Sequence, residues 1–276
     1  MALSKLQFKP GVNTEVTSYT NEGGWNNCDK VRFRFGFPEK LGGWVKYSLN
    51  TFEGICRSLH AWVTSDGSKL MGVGTHLKFY VEEGTGFNDI TPLRNTTTGS
   101  ATFAATNGST TLTVTDAGHG AVVGDYVTFS SAASLGGNIT AAILNIEYEI
   151  VTVPSSSTFT ITASVAANSS DTGNGGGSTI AAYQLNTGIN TVVPGNGWGA
   201  GTWGRGTWGS AATEVTGGGT LRLWSQDNFN DDLIFNLRDG AIYYWDQSAG
   251  YANRAVNLTT LSTTAPSVAR QVMVSD

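Results

Sequence analysis

Three histidines, His60, His76 and His119, are the side chains best suited to proton transfer or metal ligation. They lie far apart, each in or beside an expected strand or turn, and no pair has the spacing of a metal-binding motif. Residues 227–232, DNFNDD, have the look of a calcium loop. Phe229 stands where an oxygen ligand is needed and no suitably spaced Glu closes the loop, so a polar turn is the better account. Glu147 and Glu149 are two apart on an expected strand and would share a face. Paired carboxylates can do acid–base work, but no further group converges on them. Nucleophile elbows, phosphate loops and dinucleotide fingerprints are absent, and the glycine-rich stretches are not followed by helices. The expectation is a protein that is not an enzyme and carries no metal and no cofactor.

Two stretches suit binding rather than reaction. Residues 30–35, KVRFRF, alternate strictly, which puts Val31, Phe33 and Phe35 on one face and Lys30, Arg32 and Arg34 on the other. A basic stripe beside aromatics, with Arg32 and Arg34 at its centre, suits phosphate or an acidic partner; the plainer reading is a solvated outer face. Residues 193–209 space Trp198, Trp203 and Trp208 five residues apart on a glycine-rich backbone. Glycine lets chains approach closely and Trp buries a large area, so this loop suits packing on a scaffold, or a platform for sugars or single-stranded bases. These five residues form the candidate interaction surface.

The elements that must position them are strands. A chain of 276 residues with 36 Gly, many Ser and Thr, and 13% charged residues reads as all-β with many turns. No segment sustains a helical apolar period or an apolar run long enough for a bilayer, so no membrane anchor is expected. The first residues lack a charged-then-apolar leader, which argues against a secretory signal. Cys28 and Cys56 make neither a disulfide framework nor a zinc site and read as reduced thiols. A net charge of −5 argues against a dedicated nucleic-acid binder, though not against a wall that DNA slides past.

Residues 221–246 organise the chain. They read as strands at 221–224, 233–236 and 241–245, joined by a polar turn at 226–231 and an Asp-Gly turn at 238–240, with a fourth strand near 255–258. Residues 58–93 follow the same plan: strands near 58–62, 70–73 and 77–81, a turn at 64–67, and Gly86-Phe87 before 90–93, matching Gly250-Tyr251 before 256–258. A third copy begins at 270–276, echoing 57–66. The interval of about 50 residues is that of a four-stranded propeller blade, and at Asp276 the third repeat has only begun. The expected organisation is an extended N-terminal arm (1–29), a first propeller-like unit (30–95), an inserted Thr/Gly-rich small β-barrel or sandwich (96–183), and a Trp/Gly-rich loop with further blade (184–276). Within the insert, strands are expected at 101–104, 111–115, 126–129, 148–153 and 158–163, with a flexible linker at 168–178.

The FKPG of residues 8–11 with the FGFPEKLGGW of 35–44, the GWGAGTW of 197–203, and the DLIF and IYYWD of 232–235 and 242–246 together resemble structural proteins of short-tailed bacteriophages. The family is that of tail nozzle, or packaged-DNA stabilisation (tail hub), proteins. The resemblance implies β-propeller subunits, usually six in a ring below the portal and adaptor, near tail fibres or spikes. DNA would be retained and then guided out through the channel without sequence-specific binding, in a virion tail assembled in the host cytoplasm. The rival expectation is a carbohydrate- or receptor-binding part of the adsorption apparatus, centred on Trp198, Trp203 and Trp208.

Overall fold

The computed structural model describes residues 9–43, 45–188 and 223–275. The chain divides into two compact units, residues 1–49 and 50–276. In the first, the chain doubles back on itself: Lys9 N–H donates to Gly23 O at 2.7 Å, Asn13 N–H to Trp25 O at 2.9 Å. Strands β1 (Val31–Arg34) and β2 (Phe37–Lys40) then form a hairpin across a two-residue turn, Phe35-Gly36. Both turn residues take positive φ, 50° and 83°, as a tight hairpin turn requires. Glycine does so freely; Phe35 does so at a steric cost.

The second unit begins with β3 (Cys56–Val63), β4 (Lys69–Thr75), β5 (Phe79–Glu83) and β6 (Gly86–Asp89), an antiparallel meander in that order. The chain then runs through the inserted region, β7 (Leu93–Thr98), β8 (Thr102–Ala105), β9 (Thr111–Thr115), β10 (Tyr126–Ser130), β11 (Glu147–Glu149), β12 (Thr152–Ser155), β13 (Thr158–Thr162), β14 (Asp171–Asn174) and β15 (Ile180–Gln184). A second four-stranded meander follows: β16 (Trp224–Phe229), β17 (Asp232–Leu237), β18 (Ile242–Trp245) and β19 (Val256–Asn257). The two meanders share one core. Trp62, Leu70, Phe79 and Val81 of the first interlock with Trp224, Leu233, Phe235, Tyr243 and Trp245 of the second. Phe79 and Phe235 stack at 4.0 Å between centroids, with Trp224 edge-on to both. Gly74 makes this possible, because a Cβ there would overlap the Trp224 ring.

The inserted strands form two antiparallel sheets, β11-β10-β15-β7 and β12-β13-β9-β8-β14. Val127, Phe129 and Tyr183 of the first sheet and Phe103, Leu112, Phe159 and Ile161 of the second fill one cluster. Neither sheet closes, so the insert is a sandwich rather than a barrel. Its ends join the first meander on one side, where Leu185 N–H donates to Pro92 O and Ile90 N–H to Phe79 O. The hairpin tips at 64–68 and 230–231 lie at the opposite end, joined through Ser65 N–H to Asp231 at 2.7 Å.

Several strand expectations move. Residues 226–229, expected as a turn, are strand, because Gln226 and Asn228 meet polar partners on β3; only Asn230-Asp231 turns. Gly86-Phe87 opens β6 itself, since Gly84 and Thr85, both at positive φ, turn the chain in two residues where the second meander uses a longer loop. Residues 148–153 split into β11 and β12, which join different sheets. The expected linker at 168–178 contains β14, paired to β8.

Candidate interaction surfaces

Arg32 and Arg34 both project from the open side of the first hairpin, while Val31 and Phe33 turn inward and Phe33 packs edge-on against Trp25. Arg32 is held by Glu39 across the strand pair at 3.0 Å, which raises its already high pKa through that bond and charge and takes it out of a free basic stripe. Arg34 lies over the Phe35 ring at 5.5 Å. The alternation predicted from sequence breaks at Phe35, which leaves the strand for the turn and is 89% exposed; Phe37 is exposed too. The hairpin thus offers Arg32 held by Glu39, Arg34 over the Phe35 ring, and the exposed Phe37 and Lys40. Trp198, Trp203 and Trp208 lie outside the described residues. Charge divides sharply between the units. Residues 1–49 carry seven Lys and Arg against four Asp and Glu, and residues 50–276 nine against seventeen, or +3 and −8.

The three histidines stay apart. His60 stacks on Trp62 and reaches Asn228 at 3.2 Å, His76 accepts from Ile55 N–H at 2.8 Å, and buried His119 accepts from Ala121 N–H at 3.0 Å. Burial and then the Arg57 charge lower the His76 pKa, which favours the neutral ring as an acceptor. Among the described residues no group of three or more His, Cys, Asp or Glu has metal-holding geometry. Among them, too, no helix is long and apolar enough to cross a membrane.

Sequence reasoning missed the charged cluster where the insert meets the meanders. Glu147 does gain converging partners, and they are cations rather than a second acid. The buried Lys78 ammonium bonds Glu147 and lies 3.1 Å from Glu53 and 3.6 Å from Asp89, with the Tyr126 ring 4.4 Å away. Arg254 donates to Thr91 O at 2.8 Å and pairs with Asp89 at 3.2 Å and Glu147 at 3.5 Å. The Gln184 amide also donates to Glu147. Burial alone would lower the Lys78 pKa, but the bond and charge of Glu147, then Asp89 and Glu53, outweigh it and raise it. Burial pushes Tyr80 and Tyr126 beside it up to about 12. These groups satisfy one another, which makes the cluster a clamp between insert and meanders rather than a reactive centre. The only hint in the sequence is one lysine inside the apolar run 77–81.

The meander contact has a regular register. Gln226 Nε2 donates to Ser58 Oγ at 2.6 Å, and Asn228 meets His60, each pair 168 residues apart. Trp224 Nε1 donates to Thr75 O at 2.6 Å and Trp62 Nε1 to Asp231 O at 3.1 Å, so each large ring is anchored at its polar end. The C-terminal segment lies on the far side of the second meander and bonds it through its own backbone. Val272 N–H donates to Ser225 Oγ at 3.2 Å and Val274 N–H to Asp227 at 2.9 Å, each pair 47 residues apart. The third-repeat sequence therefore occupies the place of a next first strand, without pairing into a sheet of its own.

No protein-family model matches the chain. No curated protein matches it. Among solved structures it is similar to the phage phi92 endosialidase, at 15% identity and a TM-score of 0.28, covering 72% of this chain and 30% of that one. The chain thus spans under a third of that protein.

Proposed function

We propose that this chain is a non-enzymatic structural component of a bacteriophage tail, of the nozzle or hub kind, forming part of a ring around the DNA channel. The observation that carries the reading is the repeated layering: one four-stranded meander laid on another, with an extended C-terminal segment laid on the second. Stacked blades give a rigid body with loops at both ends and few open edges, which suits a ring subunit. The family resemblance of the arm, the Trp-rich loop and the aromatic hairpins supports the same reading. The acidic second unit repels the phosphate backbone, which keeps DNA from adhering by counterion release and lets it pass. The proposed partners are further copies, six in the ring, with portal or adaptor and fibre or spike proteins at its ends.

Cryo-electron microscopy of the intact particle tests this. Density for the sandwich insert and aromatic hairpins in a closed ring on the tail axis is the expected result, and it yields the copy number. Density confined to outward-pointing appendages overturns the conduit and moves the receptor-binding reading, with Trp198, Trp203 and Trp208 at its centre, to the front.

A further inference from the structure

Successive layers in the second unit meet mainly through alternate faces of a first strand. Ser58, His60 and Trp62 of β3 look forward onto the second meander, and Ser225 of β16 looks forward onto the C-terminal segment, as does Asp227 through Oδ2 while its Oδ1 lies 3.8 Å from His60. The intervening residues of β16, Trp224, Gln226 and Asn228, look back. The corresponding backward face of β3 carries Leu59, Ala61 and Val63. Phe52 covers the outer part of that face by packing on Tyr80 and Phe87 at 6.1 and 5.0 Å. The β3 edge remains bare, with Ile55 66% exposed and Leu59 and Val63 61% each. At the other end of the stack the outermost layer, residues 258–274, exposes Leu261, Val268 and Met273.

We infer that the stack continues from copy to copy: the C-terminal layer of one chain, with Val268 and Met273, covers the backward β3 face, Leu59, Ala61 and Val63, of a second copy. The occupant follows from continuity. The interface extends the layer order already built twice within the chain, and it joins two apolar strips that no other described layer covers. Such a contact uses different surfaces on the two copies, so it repeats head to tail and closes into a ring when the rotation allows. The inference rests on the ring reading above and names the surfaces that would make the ring.

The test uses the full chain with Cys28→Ser and Cys56→Ser, into which Ala61→Cys and Met273→Cys are introduced. Isotopically light and heavy chains are mixed, oxidised, and analysed by native mass spectrometry and cross-linked peptide mapping. Light–heavy peptides joining positions 61 and 273 are expected. Leu59→Asp with Val63→Asp should weaken association about tenfold or more while leaving the thermal midpoint of the dissociated chain in place. Cross-links found only within one chain overturn the inference, as do oligomers or monomers that form none. Negative-stain images separate the two ideas. Cross-linked open filaments keep the interface and sink the ring, whereas closed rings lacking the cross-link keep the ring and sink this interface.

Discussion

The sandwich insert and the meander pair use the same alternation of inward and outward residues, yet they finish differently. In the insert, two sheets turn their apolar faces on each other and a single cluster is complete. Its most deeply buried acid, Asp116, is closed off by Thr97, Ser100 and Tyr183 hydroxyls at 2.5 to 2.6 Å. Burial, then the hydrogen bond that the Tyr183 hydroxyl donates to Asp116 and the charge of that acid, raise the Tyr183 pKa far above that of a free phenol. The meanders instead use both faces of each sheet, so every added layer creates a new face to be covered. That difference explains why the insert is self-sufficient while the stack carries apolar strips at both ends.

The sharpest way to break the contrast is Phe235→Ala. It removes the ring stacked on Phe79 and should cost about 3–5 kcal/mol. If insert and meanders unfold separately, denaturant curves followed by meander tryptophans will shift while an insert-specific probe holds its midpoint. Lys78→Met attacks the clamp that joins the two regions. Leaving Glu147 and Asp89 without their buried partner should cost about 2–3 kcal/mol and part the two transitions further, read by proteolysis at the 90–93 and 184–188 junctions. Asp116→Ala should act on the insert alone, at about 2 kcal/mol, since it strands three hydroxyls; hydrogen exchange across β7 and β15 would report it. Gly74→Ala should destabilise the meander contact by about 1–3 kcal/mol because the Trp224 ring cannot yield, with Gly72→Ala costing less because it meets the end of the Gln226 side chain, as thermal midpoints would compare. The smallest effect is one of pH. His76 is lowered from its usual 6.5, so its contribution is present above that value and is lost as pH falls from there through the folded-state pKa. A thermal midpoint that declines below pH 6.5 in the wild type, and less so in His76→Asn, is expected.

Much of the architecture was legible. Residues 111–115 and 158–162 alternate and pair with each other, and the chain does turn at 238–240, though Asp239 alone takes positive φ and the loop runs four residues rather than the two of an Asp-Gly hairpin turn. Period-two patterning survives into structure because a strand with one buried face has little freedom of register. The misreadings fall where long-range partners overrule local preference. The polar run 226–229 looks like a turn in isolation, and Ser58, His60 and the C-terminal segment make it a strand. Residues 171–174, rich in Gly and Asn, look flexible until β8 pairs with them. The basic stripe was only half legible, since nothing in its pattern shows that Glu39 comes to rest beside Arg32.

By itself the sequence determined the all-β class and the repeated hairpin plan, because these follow from side-chain alternation and backbone preferences within a few residues, while several tight turns were moved by long-range partners. Tertiary structure alone decided that Lys78, Glu147 and Arg254 meet, that Gly74 exists to admit Trp224, and that Val272 and Val274 follow β16 as a third layer. Those contacts join residues tens to hundreds of positions apart. Their energy depends on burial and geometry that no local pattern encodes.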